Sequence, residues 1–153
     1  MKILYQVADK YILEEKQDAI ELENIIEKYN LKNKIEIHEA FLFVKESLDV
    51  KPYLDMEFNN YQLQSVRIGL KEGLDISWYA KPEFNEYQME QIKIGLENKV
   101  DVSIYAKPEF NFLQMEQIRL GLEYELNVES YLNPGIDWGE MSRIRLELES
   151  NDE

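Results

Sequence analysis

The sequence predicts an all-α protein, a short α-solenoid of helix-turn-helix repeats. A unit of about 26 residues recurs in four successive copies, and stacked arrays arise from such self-similarity. Each copy also combines a helix start signal with an apolar helical face. The two middle copies are nearly the same text, running from Leu74 to Lys99 and from Val100 to Glu125; looser copies occupy 48–73 and 126–149. Residues 1–47 read as an N-terminal helical cap holding a degenerate repeat, and 150–153 as an acidic tail. The whole, 1–153, is expected to form one domain.

Within the cap, Ile12 to Tyr29 carries Ile20, Leu22, Ile25, Ile26 and Tyr29 among many charges, the pattern of an amphipathic helix. Met1 to Val7 reads equally as a short strand or a first helical turn. One period before Asn59 lies Asn33, and Asn33-Lys-Ile-Glu36 repeats the start signal described next. Ile37, Ala40 and Val44 then take the positions of a helical core face. Taken alone, Ile-Glu-Ile and Phe-Leu-Phe in this stretch suggest a strand; the register argues for a helix.

The second half of each repeat is the longer helix. Asn59/Gln62, Asn85/Gln88, Asn111/Gln114 and Asp137/Glu140 each place an N-cap residue three positions before Gln or Glu, a capping box whose two side chains satisfy orphan N–H groups of the first turn. Behind it the apolar series Leu63, Met89, Met115, Met141, then Val66, Ile92, Ile118, Ile144, then Leu70, Leu96, Leu122, Leu148, run at three-then-four spacing. The first half, such as Asp75-Ile-Ser-Trp-Tyr-Ala80, reads as a short helix capped by Asp75 and stopped before Pro82. A strand over the matching Asp101–Tyr105 is the competing reading. Tyr53, Tyr79, Tyr105 and Tyr131 are equivalent, as are Phe58, Phe84, Phe110 and Ile136.

Gly69, Gly95 and Gly121 lie inside the long helices, where glycine costs about 1 kcal/mol relative to alanine. Their recurrence predicts that a neighbouring helix packs on bare backbone there. The last copy has Glu147 instead, as expected where no further unit stacks.

With no cysteine, neither a disulfide framework nor a thiolate metal site is expected. No apolar run approaches a membrane span and no signal peptide is evident, which points to the cytoplasm. The formal net charge is −14. The acidity rises along the repeats toward the C-terminus, which disfavours direct nucleic-acid or membrane-surface binding. It suits solubility, or imitation of a phosphate backbone. Against it runs a cation ladder, Arg67, Lys93, Arg119 and Arg145, for which pairing with carboxylates such as Glu90 and Glu116 is the simplest role. The lone His38 sits among apolar residues and reads as a packed or surface side chain. Phosphate-binding loops, nucleophile elbows, zinc motifs and calcium loops are all missing from the sequence. The chain reads as a non-enzyme without cofactor or metal.

Binding positions are sought where the copies differ. Tyr61, Trp78, Tyr87, Phe112, Tyr124 and Trp138 are large aromatics that the repeat does not require, and Glu86, Glu129 and Glu140 accompany them. Such a mixed aromatic and acidic set resembles an interface for a protein partner with a basic or nucleic-acid-binding surface.

The strings Ser103-Ile-Tyr-Ala-Lys-Pro-Glu-Phe-Asn111 and Gln114-Met-Glu-Gln-Ile-Arg-Leu-Gly-Leu-Glu123 resemble a repeat of proteins from Gram-positive gut bacteria and their phages or mobile elements. The likeness spans about two thirds of the chain. The first and last copies lack the Lys-Pro-Glu-Phe loop. The repeat brings no assigned activity, so it implies no functional residues. It does imply a mobile-element context, where small acidic inhibitors of host defence, restriction or CRISPR nucleases included, are a recurring class. The expected function is a protein-binding module, an inhibitor or adaptor. A nucleic-acid mimic and a self-assembling structural protein are the alternatives.

Overall fold

The computed structural model describes residues 1–151. The chain is mostly helical, with a small antiparallel sheet. It comprises two compact units, Met1–Glu72 and Gly73–Glu153, and the division falls at the edge between the first and second copies. Asp152 and Glu153, the end of the expected acidic tail, lie outside the described residues; the first two residues of that tail continue the last helix.

The first unit opens with a hairpin. Strand β1 (Tyr5–Val7) pairs antiparallel with β2 (Tyr11–Leu13), Tyr5 facing Leu13 and Val7 facing Tyr11. Ala8 and Asp9 both take positive φ, and the Lys10 N–H closes the turn on the Val7 carbonyl, the dihedral signs of a mirror-image hairpin turn. Tyr11 and Leu13 are buried while Ile12 between them is exposed, the two-residue period of a strand. The expectation of a helix from Ile12 is therefore corrected: helix α1 is Lys16–Lys28, and the ambiguous N-terminus is a strand. Leu22 and Ile25 of α1 are buried, as the helical pattern requires.

Helix α2 (Lys34–Lys45) starts where the register put it, with the Asn33 side chain accepting from the Glu36 N–H at 2.8 Å. Ala40, Phe43 and Val44 are buried on one face. That three-and-one spacing overrides the strand-like local composition. Helix α3 (Lys51–Asp55) and helix α4 (Asn60–Lys71) complete the unit. Tyr29 ties α1 to α3 through its hydroxyl, which donates to Asp55 at 2.8 Å.

The second unit carries the repeat three times. Its long helices are α5 (Glu86–Glu97), α6 (Phe112–Glu123) and α7 (Trp138–Asn151). Complete capping boxes open α4, α5 and α6. Asp137 caps α7 by accepting from the Glu140 N–H. The expected short helices are single 3₁₀ turns, Ile76–Trp78, Val102–Ile104 and Val128–Tyr131, capped by Asp75, Asp101 and Asn127. The strand reading of this stretch fails. Lys81, Lys107 and Asn133 are held out of helix by the prolines after them, Pro82, Pro108 and Pro134. In the first copy Met56 stands at that position, and the short helix there, α3, is a true α-helix.

Helix ends follow a rule the sequence barely advertises. After α2, α5 and α6 come Ser47, Lys99 and Glu125 with φ of 59°, 60° and 57°. The N–H groups of Leu48, Val100 and Leu126 reach back to the carbonyls of Phe43, Gly95 and Gly121. This is the Schellman closure, usually built on glycine. Gly73, at the same register position, is the one member of the series with the expected residue.

Within the second unit, three sets of bonds dock each later copy on the one before it. The Tyr105 and Tyr131 hydroxyls donate to the Gln91 and Gln117 carbonyls. Gln88 donates to the Pro108 and Phe110 carbonyls, and Gln114 to those of Pro134 and Ile136. Arg119 and Arg145 each donate from Nε to the side-chain oxygen of Gln91 and Gln117 at 3.0 Å. A side chain on Gly95 or Gly121 would collide with the Tyr105 or Tyr131 hydroxyl and with Val102 or Val128. The neighbour at these glycines is thus a tyrosine at a 3₁₀ turn, and the expectation of a neighbouring helix against bare backbone is corrected to that single turn. Met89, Met115 and Met141, with Ile92 and Ile118, fill the core between these contacts.

Candidate functional site

The docking bonds determine which way the helices of the second unit point. From Val102, beside Gly95, the chain runs back along α5 past Gln91 to Phe110, beside Gln88, and only then starts α6. The same path leads from α6 to α7. Helices α5, α6 and α7 are therefore parallel, and their N-termini line one edge.

Five of the nine expected binding residues stand on that edge. Glu86, Phe112 and Trp138 are the first residues of α5, α6 and α7, Tyr87 is the second of α5, and Glu140 is the third of α7. Tyr87 is 56% exposed and Trp138 46%. Phe112, half-buried, leans on Tyr87 with ring centroids 5.1 Å apart and planes tilted by 34°, a favourable offset geometry for an aromatic pair. Trp138 follows at the neighbouring helix start, one helix spacing of roughly 8–10 Å further on. Leu113, at the position of Tyr87 on the next helix, belongs to the same first turns and was not singled out by composition. The signal that finds the ring pair is a separation one short of the repeat, which joins the second residue of one helix to the first of the next.

The other four are elsewhere. Tyr124 is the C-cap of α6, 60% exposed, at the opposite ends of the parallel helices. Trp78 and Glu129 sit on the 3₁₀ turns, both exposed. Tyr61 is exposed on the first turn of α4 in the first unit. The nine residues do not form one patch.

Charge on the edge is partly committed. Glu140 pairs with Arg143 at 2.7 Å, and the hydrogen bond from Arg143 holds its carboxyl below the usual range. Glu86 is half-buried. The cation ladder is structural throughout. Arg67 bonds to Glu39 and Glu46, Lys93 to Glu90 and Glu97, Arg119 to Glu123 and Arg145 to Glu149. Arg67, Lys93 and Arg119 are all buried. A buried cation without its carboxylate is costly, so these side chains are held in place by the fold. His38 is exposed on α2, its ring near those of Tyr11 and Phe41.

The surface depressions are open. One of about 490 Å³ is lined by Gln17, Glu21, Asn24, Ile25, Lys28 and Lys51 of the first unit. Among the described residues no cluster of His, Asp and Glu has the arrangement to hold a metal ion. No helix among them is long and apolar enough to cross a membrane.

No family model, curated protein or solved structure matches this chain.

Proposed function

We propose that the protein is a short α-solenoid that acts without catalysis, by binding another protein stoichiometrically through the edge formed by Tyr87, Phe112 and Trp138. The observation that carries this reading is the Tyr87–Phe112 ring pair beside an exposed Trp138. Capping requires only Asn85, Asn111 and Asp137 there, so the framework has no use for rings at these positions. Rigid aromatics carried on helix first turns lose little side-chain freedom on binding, which is why they dominate interface hot spots. The resemblance of the repeat to mobile-element proteins supports action in a bacterial cytoplasm and favours an inhibitor of a host defence enzyme as the form of that action.

Charge supports a second reading. A chain of net charge −14 can occupy a nucleic-acid cleft as a phosphate mimic, and its affinity would then fall steeply with salt.

Affinity capture from the bacterial host tests both. The bait is the wild type beside a Tyr87→Ala/Phe112→Ala/Trp138→Ala variant that keeps its helical circular dichroism. A partner held by the wild type and lost by the variant supports the aromatic edge. A partner held equally by both, and released between 50 and 200 mM salt, favours the mimic.

A further inference from the structure

Three register positions do the docking in α5 and α6, and in α7 all three are occupied by residues of opposite capability. Gln88 and Gln114 donate to two carbonyls of the following copy; α7 has Glu140, a carboxylate that only accepts. Gln91 and Gln117 accept from the next arginine; α7 has Arg143, which only donates. Gly95 and Gly121 leave the notch that the next tyrosine hydroxyl fills; α7 has Glu147. The three replacements bind one another. Arg143 donates to both oxygens of Glu140, at 2.7 and 2.9 Å, and to Glu147 at 3.1 Å.

We infer that Glu140, Arg143 and Glu147 form a terminator, which closes the outer face of α7 against a repeat segment from a second copy of this chain. Such a segment brings two backbone carbonyls, an arginine and a tyrosine. On α7 the carbonyls meet a carboxylate, the arginine meets an arginine, and the tyrosine ring meets a side chain where it needs a notch. Each of the three contacts becomes repulsive, and specificity of this kind rests on opposed groups as much as on matched ones.

The need for a stop follows from the near identity of 74–99 and 100–125. In a transiently opened chain either segment fits any face built like that of α6, so an unguarded α7 would take the repeat of a neighbouring molecule and propagate an open, head-to-tail exchange. Ile144 and Leu148 of α7, both partly exposed, supply the apolar surface such an exchange would use.

The experiment uses the full chain and a synthetic peptide spanning Val100 to Glu125. The variant Glu140→Gln/Arg143→Gln/Glu147→Gly restores the three docking groups and makes the net charge less negative by one. Glu147→Gln changes the charge equally and leaves the notch filled. The triple variant is expected to bind the peptide at least tenfold more tightly than either the wild type or Glu147→Gln at physiological salt. It is also expected to sediment as larger species after heating and cooling. The double variant Glu140→Gln/Arg143→Gln keeps the better helix former at 147 and is expected to bind with intermediate strength. Equal peptide binding by the wild type would overturn the inference, as would the absence of any gain in a double or triple variant whose helical dichroism is intact.

Discussion

The hydroxyl of Tyr105 fills the notch that Gly95 leaves in α5 and donates from there to the carbonyl of Gln91 at 2.7 Å. One residue supplies absence and the other supplies reach. The pair explains why a helix interior tolerates glycine at a position where alanine would be better in an isolated helix.

Gly95→Ala tests that pairing directly. Helix propensity favours alanine by about 1 kcal/mol, yet the new methyl overlaps a buried phenol and Val102. Overpacking of this kind costs about 1–3 kcal/mol, so a net loss is expected in urea denaturation. Adding Tyr105→Phe should lower the cost of the alanine, giving a non-additive double-mutant cycle. An alanine variant more stable than the wild type would show that the notch is not packed.

Alkaline pH should loosen the second unit. Burial pushes the Tyr131 phenol up to about 12 and Tyr105 further still. An acid whose folded-state pKa lies above its unfolded value, here about 10, contributes stability that is intact below that value. The contribution is lost as pH rises through the folded one. Stability should therefore hold flat up to about pH 10 and then fall by roughly 1.4 kcal/mol per pH unit for each buried tyrosine. Denaturation series at pH 8, 10 and 11 would follow this, and Tyr131→Phe should flatten the slope.

Two arginines should behave oppositely. Arg119 is buried between Gln91 and Glu123, so Arg119→Ala strands partly buried polar groups and should cost about 3 kcal/mol. Arg143 pairs with two carboxylates where Arg119 pairs with one, but it is exposed, and Arg143→Ala should lower the melting temperature far less than Arg119→Ala. Comparable melting temperatures for the two variants would contradict the burial argument.

Lys99 and Glu125 hold positive φ at helix ends, where glycine avoids a steric cost of about 1 kcal/mol. Lys99→Gly and Glu125→Gly should each stabilise, and together raise the melting temperature by several degrees. A fall would mean that their side chains matter more than the backbone.

The long helices were legible because capping boxes and apolar spacing repeat in register, and even the degenerate α2 was found by stepping one period from Asn59 to Asn33. The hairpin was not, since its turn uses Ala8 and Asp9 in place of the glycine that normally marks positive φ. The Schellman ends were hidden for the same reason: Ser47, Lys99 and Glu125 carry no conformational signal in their chemistry. Among the binding candidates, composition set Tyr87, Phe112 and Trp138 apart from the repeat framework. It could not separate one edge from another, because only the return path along α5 shows that the helices are parallel and that Tyr124 lies at their far ends.

The bonds that join α5 to α6 and α6 to α7 span 14, 20, 22 and 28 residues. Pairings this local need little loop closure, so successive segments can order quickly and in sequence. They also distribute protection unevenly. Helix α6 is fastened on both sides by these bonds, whereas α7 is fastened by them on one, so the amides of α7 should exchange with solvent before those of α6. A reader of this molecule's hydrogen-exchange pattern would see the order of the repeats written as a gradient of opening rates.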